Sequence, residues 1–298
     1  MKAFYSDHFV LPLPKGHRFP MEKYALLRQS VQSLADLELL EAPSATDAQL
    51  LLAHDTKYVE KIISGQLNAA EQKEIGFPWS PLMVERSKRS AGATVAACNA
   101  ALMDGVSVNL AGGTHHAHRD KGSGFCVFND VAIAAKNLQA IKGNHFRVAI
   151  IDFDVHQGNG TATIMQHNDS IFTLSIHGEN NFPFNKEQSD LDIGLKNQCA
   201  DSEYLNAVAY ALDELEKRFS ADFVIYLAGA DPHTDDRLGK LSLSKKGLLL
   251  RDQAVFDFAK INGIPIAVVM AGGYGKKIEQ SVEIHHQTIA LAIKYSHN

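Results

Sequence analysis

Short apolar runs alternate along this chain with longer stretches whose apolar positions recur at helical spacing. The runs are VSVNLA (106–111), RVAIIDFDV (147–155), SIFTLSI (170–176), DFVIYLAGA (222–230) and IPIAVVMA (264–271). Most are apolar on both faces, which suits a parallel sheet covered by helices. Helices are expected near 21–40, 47–64, 83–104, 128–141, 202–219, 244–262 and 277–295. Ser202 reads as the N-cap of SEYLNAVAYALDELEKRF. The alternation implies α/β architecture with one open, mostly parallel sheet. The segment 177–200, HGENNFPFNKEQSDLDIGLKNQCA, reads as a long irregular loop, a kind that is usually functional or disordered.

Several predicted strands end in polar or glycine-rich text: VNLAGGTHHAH, IDFDVHQGNG, LSIHGEN, YLAGADPHTDD and MAGGYG. Ligands of open α/β sheets bind beyond the carboxyl ends of the strands, so these five ends predict one assembled site. Asp152, Asp154 and His156 alternate at the end of one strand, and residues two apart on a strand share a face. Carboxylate oxygen and imidazole nitrogen suit a divalent ion such as Zn²⁺. An isolated Asp-x-His pattern is, however, more often a plain hydrogen bond at a strand terminus. A third ligand is available in Asp231, with His233, Asp235 and Asp236 as competitors that spacing alone does not separate. Three protein ligands with one open position is the catalytic arrangement.

His115 and His116 follow a Gly-Gly turn and could move protons beside such a metal, or could be a surface pair; His118 reads as a surface residue. Tyr274, between glycines, could donate to a developing oxyanion, or be a half-buried aromatic with a satisfied hydroxyl. Phe182 and Phe184 would wall the site, or equally pin the loop to the surface.

Composition narrows the class without changing this picture. The 298 residues are 45% hydrophobic and 21% charged, with a net charge of −5 that gives no reason to expect direct nucleic-acid binding. Cys98, Cys126 and Cys199 are scattered and form no disulfide framework, which favours a reducing compartment. No stretch approaches the ~20 apolar residues of a membrane span, and the N-terminus lacks the apolar run of a signal peptide. A cytoplasmic protein is expected.

GGTHHAHRDKGSGFCVFND, IDFDVHQGNGT, LAGADPHTDDRLGKLSLS and MAGGYG resemble, in that order, the histone-deacetylase and acetoin-utilisation family. GHRFPMEKYALLR, HQGNG and DDRLGKLSLS resemble its bacterial class IV branch. Four ordered motifs running through most of the chain are far more specific than any one of them. The resemblance implies an arginase/deacetylase fold with about eight parallel strands and helices on both faces, as a single zinc-dependent deacetylase domain over 1–298. It implies a hydrolase that removes an acyl group, acetyl or longer, from lysine amines of proteins, or from acetylpolyamines and other small N-acyl amines. A non-catalytic metal-binding scaffold is the alternative of another class.

By the same resemblance, Asp154, His156 and Asp231 match the metal ligands, for Zn²⁺ or Fe²⁺. His115 and His116 match the catalytic pair, Asp152 the carboxylate that orients the first histidine, and Tyr274 the tyrosine that polarises the carbonyl. Gly124 and Phe125 match the acyl-lysine channel. A structural K⁺ would sit against backbone oxygens around Asp152, Asp154 and His156, with Ser175 and Ile176 on the next strand. Two positions depart from the pattern: Gln157 stands where many relatives carry a second histidine, and Asn159 where class I members carry an aspartate paired to the second catalytic histidine. The resemblance leaves oligomeric state open.

Overall fold

The computed structural model describes residues 1–296. Eight strands form one sheet: β1 (Lys2–Tyr5), β2 (Glu38–Glu41), β3 (Val106–Asn109), β4 (Val148–Asp152), β5 (Ile171–Gly178), β6 (Leu191–Leu195), β7 (Phe223–Leu227) and β8 (Ile266–Val269). Their order is 2-1-3-8-7-4-5-6 and every pairing is parallel. The five long apolar runs supply β3, β4, β5, β7 and β8.

Among the described residues, nine helices connect the strands and a tenth follows the last of them: α1 (Lys23–Val31), α2 (Asp47–Leu50), α3 (Thr56–Ile63), α4 (Ala69–Ile75), α5 (Pro81–Asp104), α6 (Asp130–Lys142), α7 (Asn159–Met165), α8 (Asp201–Arg218), α9 (Lys245–Ile261) and α10 (Ile278–Tyr295). Each face of the sheet carries its own core. Val148, Ile150, Phe223 and Ile225 pack with residues of α5 and α6. Ala149, Ile151, Val224 and Tyr226 pack with residues of α8, α9 and α10. Strand side chains alternate between faces, so two covered faces require apolar residues at every position. No described helix is long and apolar enough to cross a membrane.

The differences from the sequence reading have local causes. The helix expected over 21–40 stops at Val31, with Gln32 as its C-cap; Asp36 then takes a positive φ of 64° and Leu39 and Leu40 belong to β2. The expected 47–64 helix splits into α2 and α3, each with its own start at Thr46 and Asp55. Ser202 is not a cap: α8 begins at Asp201 and its N-cap is Ala200. The 177–200 segment is not wholly irregular, since it holds β6, an edge strand whose outward positions are polar.

His54, between α2 and α3, ties this shell to the loop after β3. Its Nε2 accepts from Asn129 N–H and its Nδ1 donates to the His118 carbonyl, both at 2.9 Å. Burial pushes its pKa down to about 4, from ~6.5 in an unfolded chain. A depressed native pKa means that its contribution to stability is complete above ~6.5 and is lost as pH falls through about 4. Urea titrations should therefore show the native protein losing about 3 kcal/mol more than His54→Gln between pH 7 and pH 4. Equal slopes would remove His54 from the account.

Candidate active site

The loops that follow β3, β4, β7 and β8, four neighbours at the centre of the sheet, converge at its carboxyl edge. Beyond Asp152 the chain leaves the β4 ladder but keeps its alternation. Phe153 and Val155 enter the core, while Asp152 Oδ1 accepts Asp154 N–H at 3.1 Å and Asp154 Oδ1 accepts His156 N–H at 2.9 Å. Each carboxylate thus caps the backbone two residues on, which holds Asp152, Asp154 and His156 on one side.

Asp231, at the end of the segment after β7, completes a buried group with Asp154 and His156. One potential ligand atom of each lies within 4.8 Å of the others. His156 Nδ1 is 2.9 Å from Asp154 Oδ1 and 3.3 Å from Asp231 Oδ2. Asp231 Oδ2 is buried without a hydrogen bond. Burial, then the neighbouring Asp154 charge, raise the Asp231 pKa to about 7. Burial opposes charge on His156, but Asp154 and Asp231 outweigh it and push that ring up to about 10. Such a pocket calls for a cation between its carboxylates, and its donor set fits a divalent metal. Gly272 makes this possible: a Cβ there would lie 1.8 Å from Asp231 Oδ2 and 2.6 Å from Asp154 Oδ2.

The competitors for the third ligand have other work. Asp236 accepts the N–H groups of Leu238 and Gly239, and that of Tyr274 at 2.6 Å, fixing the tyrosine's loop. Asp235 pairs with Lys276 and Gln280. His233 Nδ1 accepts Asp235 N–H.

His115 and His116 are both buried, with ring centroids 4.1 Å apart. His115 Nδ1 donates to Asp152 Oδ2 at 2.6 Å. Burial opposes charge on His115, but Asp152 and Asp154 outweigh it, and its pKa rises to about 9. His116 Nδ1 donates to Asn159 Oδ1 at 2.7 Å. Burial, then the charges of His115 and His156, hold His116 well below the ordinary imidazole range. The loop that carries the pair hangs on Asp130, which accepts from the N–H groups of Gly113 and Thr114 and from the hydroxyls of Thr94 and Thr114.

His118 is not a surface residue. Its Nε2 accepts from Asn159 Nδ2 at 3.1 Å and its Nδ1 donates to Thr163 Oγ1 at 2.9 Å. Gln157 is fully buried and clamps the 177–200 segment, donating to the Glu187 carbonyl and to Asp192 and accepting Glu187 N–H.

A cleft of about 660 Å³ leads to this cluster. Gly124 and Phe125 line one side, and a Cβ at Gly124 would lie 2.7 Å from the His116 ring. The Phe182 ring meets His116 edge-on at 4.9 Å. Phe184, 81% exposed, stands at the outer end. Phe19 and Phe77, which the sequence reading did not single out, pack with Phe125 into the same wall. Tyr274 lies beside Phe125 at 6.1 Å, and its hydroxyl bonds no described residue. Burial, then nearby Tyr24 and the carboxylates Asp154 and Asp231, raise its pKa well above the ordinary phenol value, so it is a proton donor. Ser175 pairs with Asp152 in the β4–β5 register and its hydroxyl meets His177 Nδ1 at 3.0 Å; Ile176 is buried beside it.

A model of the histone deacetylase domain matches residues 17–289. The chain is 42% identical over 284 residues to an uncharacterized protein of Picosynechococcus sp., covering 94% of each. It is 29% identical over 282 residues to histone deacetylase 2 of Arabidopsis thaliana, covering 91% of this chain and 73% of that one. Among solved structures, the HD domain of HDA15 matches with a TM-score of 0.83 at 20% identity, over 98% of this chain and 90% of that one, which is a likeness of fold.

Proposed function

This chain belongs to the histone deacetylase family, and we propose that it is a zinc-dependent amidohydrolase that removes an acyl group, acetyl first, from lysine side-chain amines. The buried Asp154–His156–Asp231 group, facing a channel that holds two oriented histidines and an unpartnered tyrosine hydroxyl, carries the reading. When bound there, Zn²⁺ or Fe²⁺ supplies Lewis acidity that polarises the amide carbonyl and acidifies a water.

The protein's own groups then divide the proton work. Because His116 donates through Nδ1 to Asn159, its Nε2 lone pair faces the cleft, and this nitrogen takes the water's proton and returns it to the departing amine. Asp152 orients the His115 ring and favours its protonated form. Tyr274 donates to the carbonyl oxygen as negative charge develops. Gly124, Phe125, Phe182 and Phe184 wall the acyl-lysine channel, and Gly124 leaves room where a side chain would strike His116.

His118 decides which way Asn159 points. An amide can present oxygen or nitrogen, but Asn159 Nδ2 is engaged by His118 Nε2, whose own proton sits on Nδ1 toward Thr163. Asn159 Oδ1 is thereby aimed at His116. His118→Leu should lower kcat about 10-fold in the native chain, an effect of hydrogen-bond size. It should have little effect beside Asn159→Asp, whose two oxygens are equivalent. Additive losses in that cycle would mean that His118 acts elsewhere.

We place a structural K⁺ at the backbone oxygens of Asp152, Asp154 and His156 with Ser175 and Ile176, a cluster of hard oxygen donors at adjoining strand ends. The likeness of HQGNG and DDRLGKLSLS to the class IV branch supports a class IV reading. Residues 1–298 act as one domain, the last two lying outside the described residues. Three buried, unpaired cysteines suit the cytoplasm.

Chelation followed by metal return is the direct test, using acyl-lysine peptides from acetyl to myristoyl and acetylpolyamines. Free amine should form only with metal, and the best substrate names the acyl and amine preference. No product with metal confirmed bound would favour the metal-binding scaffold reading instead.

A further inference from the structure

Resting on the acyl-lysine reading, we propose that the rim of the cleft selects lysines embedded in acidic polypeptide, and disfavours basic tails and polycationic amines. Arg18, Lys73 and Lys240 stand at the mouth, and Arg237 joins them through a 3.0 Å bond from Nε to the Tyr274 carbonyl. All four side chains are exposed, and among the described residues none has a carboxylate within ion-pair distance.

Elsewhere Lys2, Lys61, Lys88, Lys217 and Lys245 each face an acid, while Lys57, Lys142, Lys246 and Lys260 are exposed singly, away from the cleft. Glu74, the rim carboxylate, is taken by Lys121 at 2.8 Å. Glu179 lies beside the mouth and accepts from Asn180 Nδ2. Lys186 adds a further positive charge, its ammonium on the carbonyls of Glu179, Asn181 and Pro183. Burial and then the Lys240 charge push the Lys186 pKa down, with Asp192 opposing them. A chain with net charge −5 thus places several uncompensated cations around this one opening.

The chemistry of the reaction gives this rim its meaning. An acylated lysine is neutral, so it brings no charge of its own into the channel. The charges met at the mouth belong to the residues on either side of it. Apolar walls of Phe19, Phe77, Phe125 and Phe182 keep the local dielectric low and strengthen the field there. Acidic neighbours are drawn in, and basic ones are repelled. The product ammonium is cationic, so the same rim that admits the neutral amide favours release of the amine.

The test uses the metal-loaded protein and two fluorescein-labelled acetyl-lysine peptides of equal length, one flanked by glutamates and one by lysines, with acetylspermidine as third substrate. At about 20 mM salt the acidic peptide should show at least ~10-fold higher kcat/KM, and the gap should shrink at about 500 mM. Arg18→Glu/Lys73→Glu/Lys240→Glu should invert the acid-to-base ratio; Lys240→Glu alone should narrow it, which guards against misfolding of the triple variant. Equal kcat/KM values, a preference for the basic peptide or acetylspermidine, or a ratio untouched by charge reversal would overturn the proposal. Fluorescence anisotropy of the same peptides separates this from the hydrolase reading. Selective binding of the acidic peptide without turnover would uphold the rim and sink the hydrolase; equal binding without turnover would sink both.

Discussion

Tyr274→Phe should lower kcat by about 10²–10³ while metal content, melting temperature and KM stay close to those of the native protein. The substitution removes one oxygen and keeps the ring that packs beside Phe125. That oxygen bonds no described residue, so its loss leaves no protein group unsatisfied and the fold has no reason to move. Its position is set by the backbone, since Asp236 holds the Tyr274 N–H and Arg237 the Tyr274 carbonyl. With its pKa raised well above that of an ordinary phenol, first by burial, the hydroxyl keeps its proton across the working pH range. A donor that meets charge only as the carbonyl is attacked affects kcat far more than KM. Steady-state kinetics beside metal analysis would decide: a variant retaining more than half of native kcat would take Tyr274 out of the mechanism.

His116→Ala should reduce kcat by about 10²–10⁴, the range set by loss of a positioned general base. Burial and the two neighbouring imidazoles hold this ring well below the ordinary histidine range, so it is neutral near pH 7 and carries its lone pair toward the cleft. Lowering the pH should leave the His116 limb of the native kcat profile flat until well below ~6.5. Near-native turnover of His116→Ala across the acyl panel would transfer the proton work to another group, His115 first.

The central sheet was legible because its strands carry apolar residues on both faces, a pattern that suits two covered faces. The edges were not. β2 and β6 expose part of their length, and four or five half-polar residues carry too little signal to stand out. Helix limits failed at short breaks, after Val31 and between Leu50 and Thr56, that leave the apolar spacing nearly intact. In the site, Asp154 and His156 announce themselves by alternation, whereas the choice of Asp231 over Asp236 depends on a loop whose path only the folded chain reveals. His118 was misjudged for the same reason: its partners, Asn159 and Thr163, are 41 and 45 residues away. Asp130 gave no signal because its work is to hold backbone, which leaves no periodic trace.

The strand order has a consequence for how this protein is made. β8 is the last strand to leave the ribosome, yet it lies in the middle of the sheet, between β3 and β7. Before it emerges, the growing chain holds two separate half-sheets, 2-1-3 and 7-4-5-6, with no strand to join them. Asp154, His156 and Asp231 all follow β4 and β7, which pair directly, so the proposed metal ligands belong to one half. His115 and His116 belong to the other, and Tyr274 arrives with β8 itself. The three residues of the candidate metal group therefore emerge before β8, and the site as a whole is assembled only when the keystone strand closes the arch.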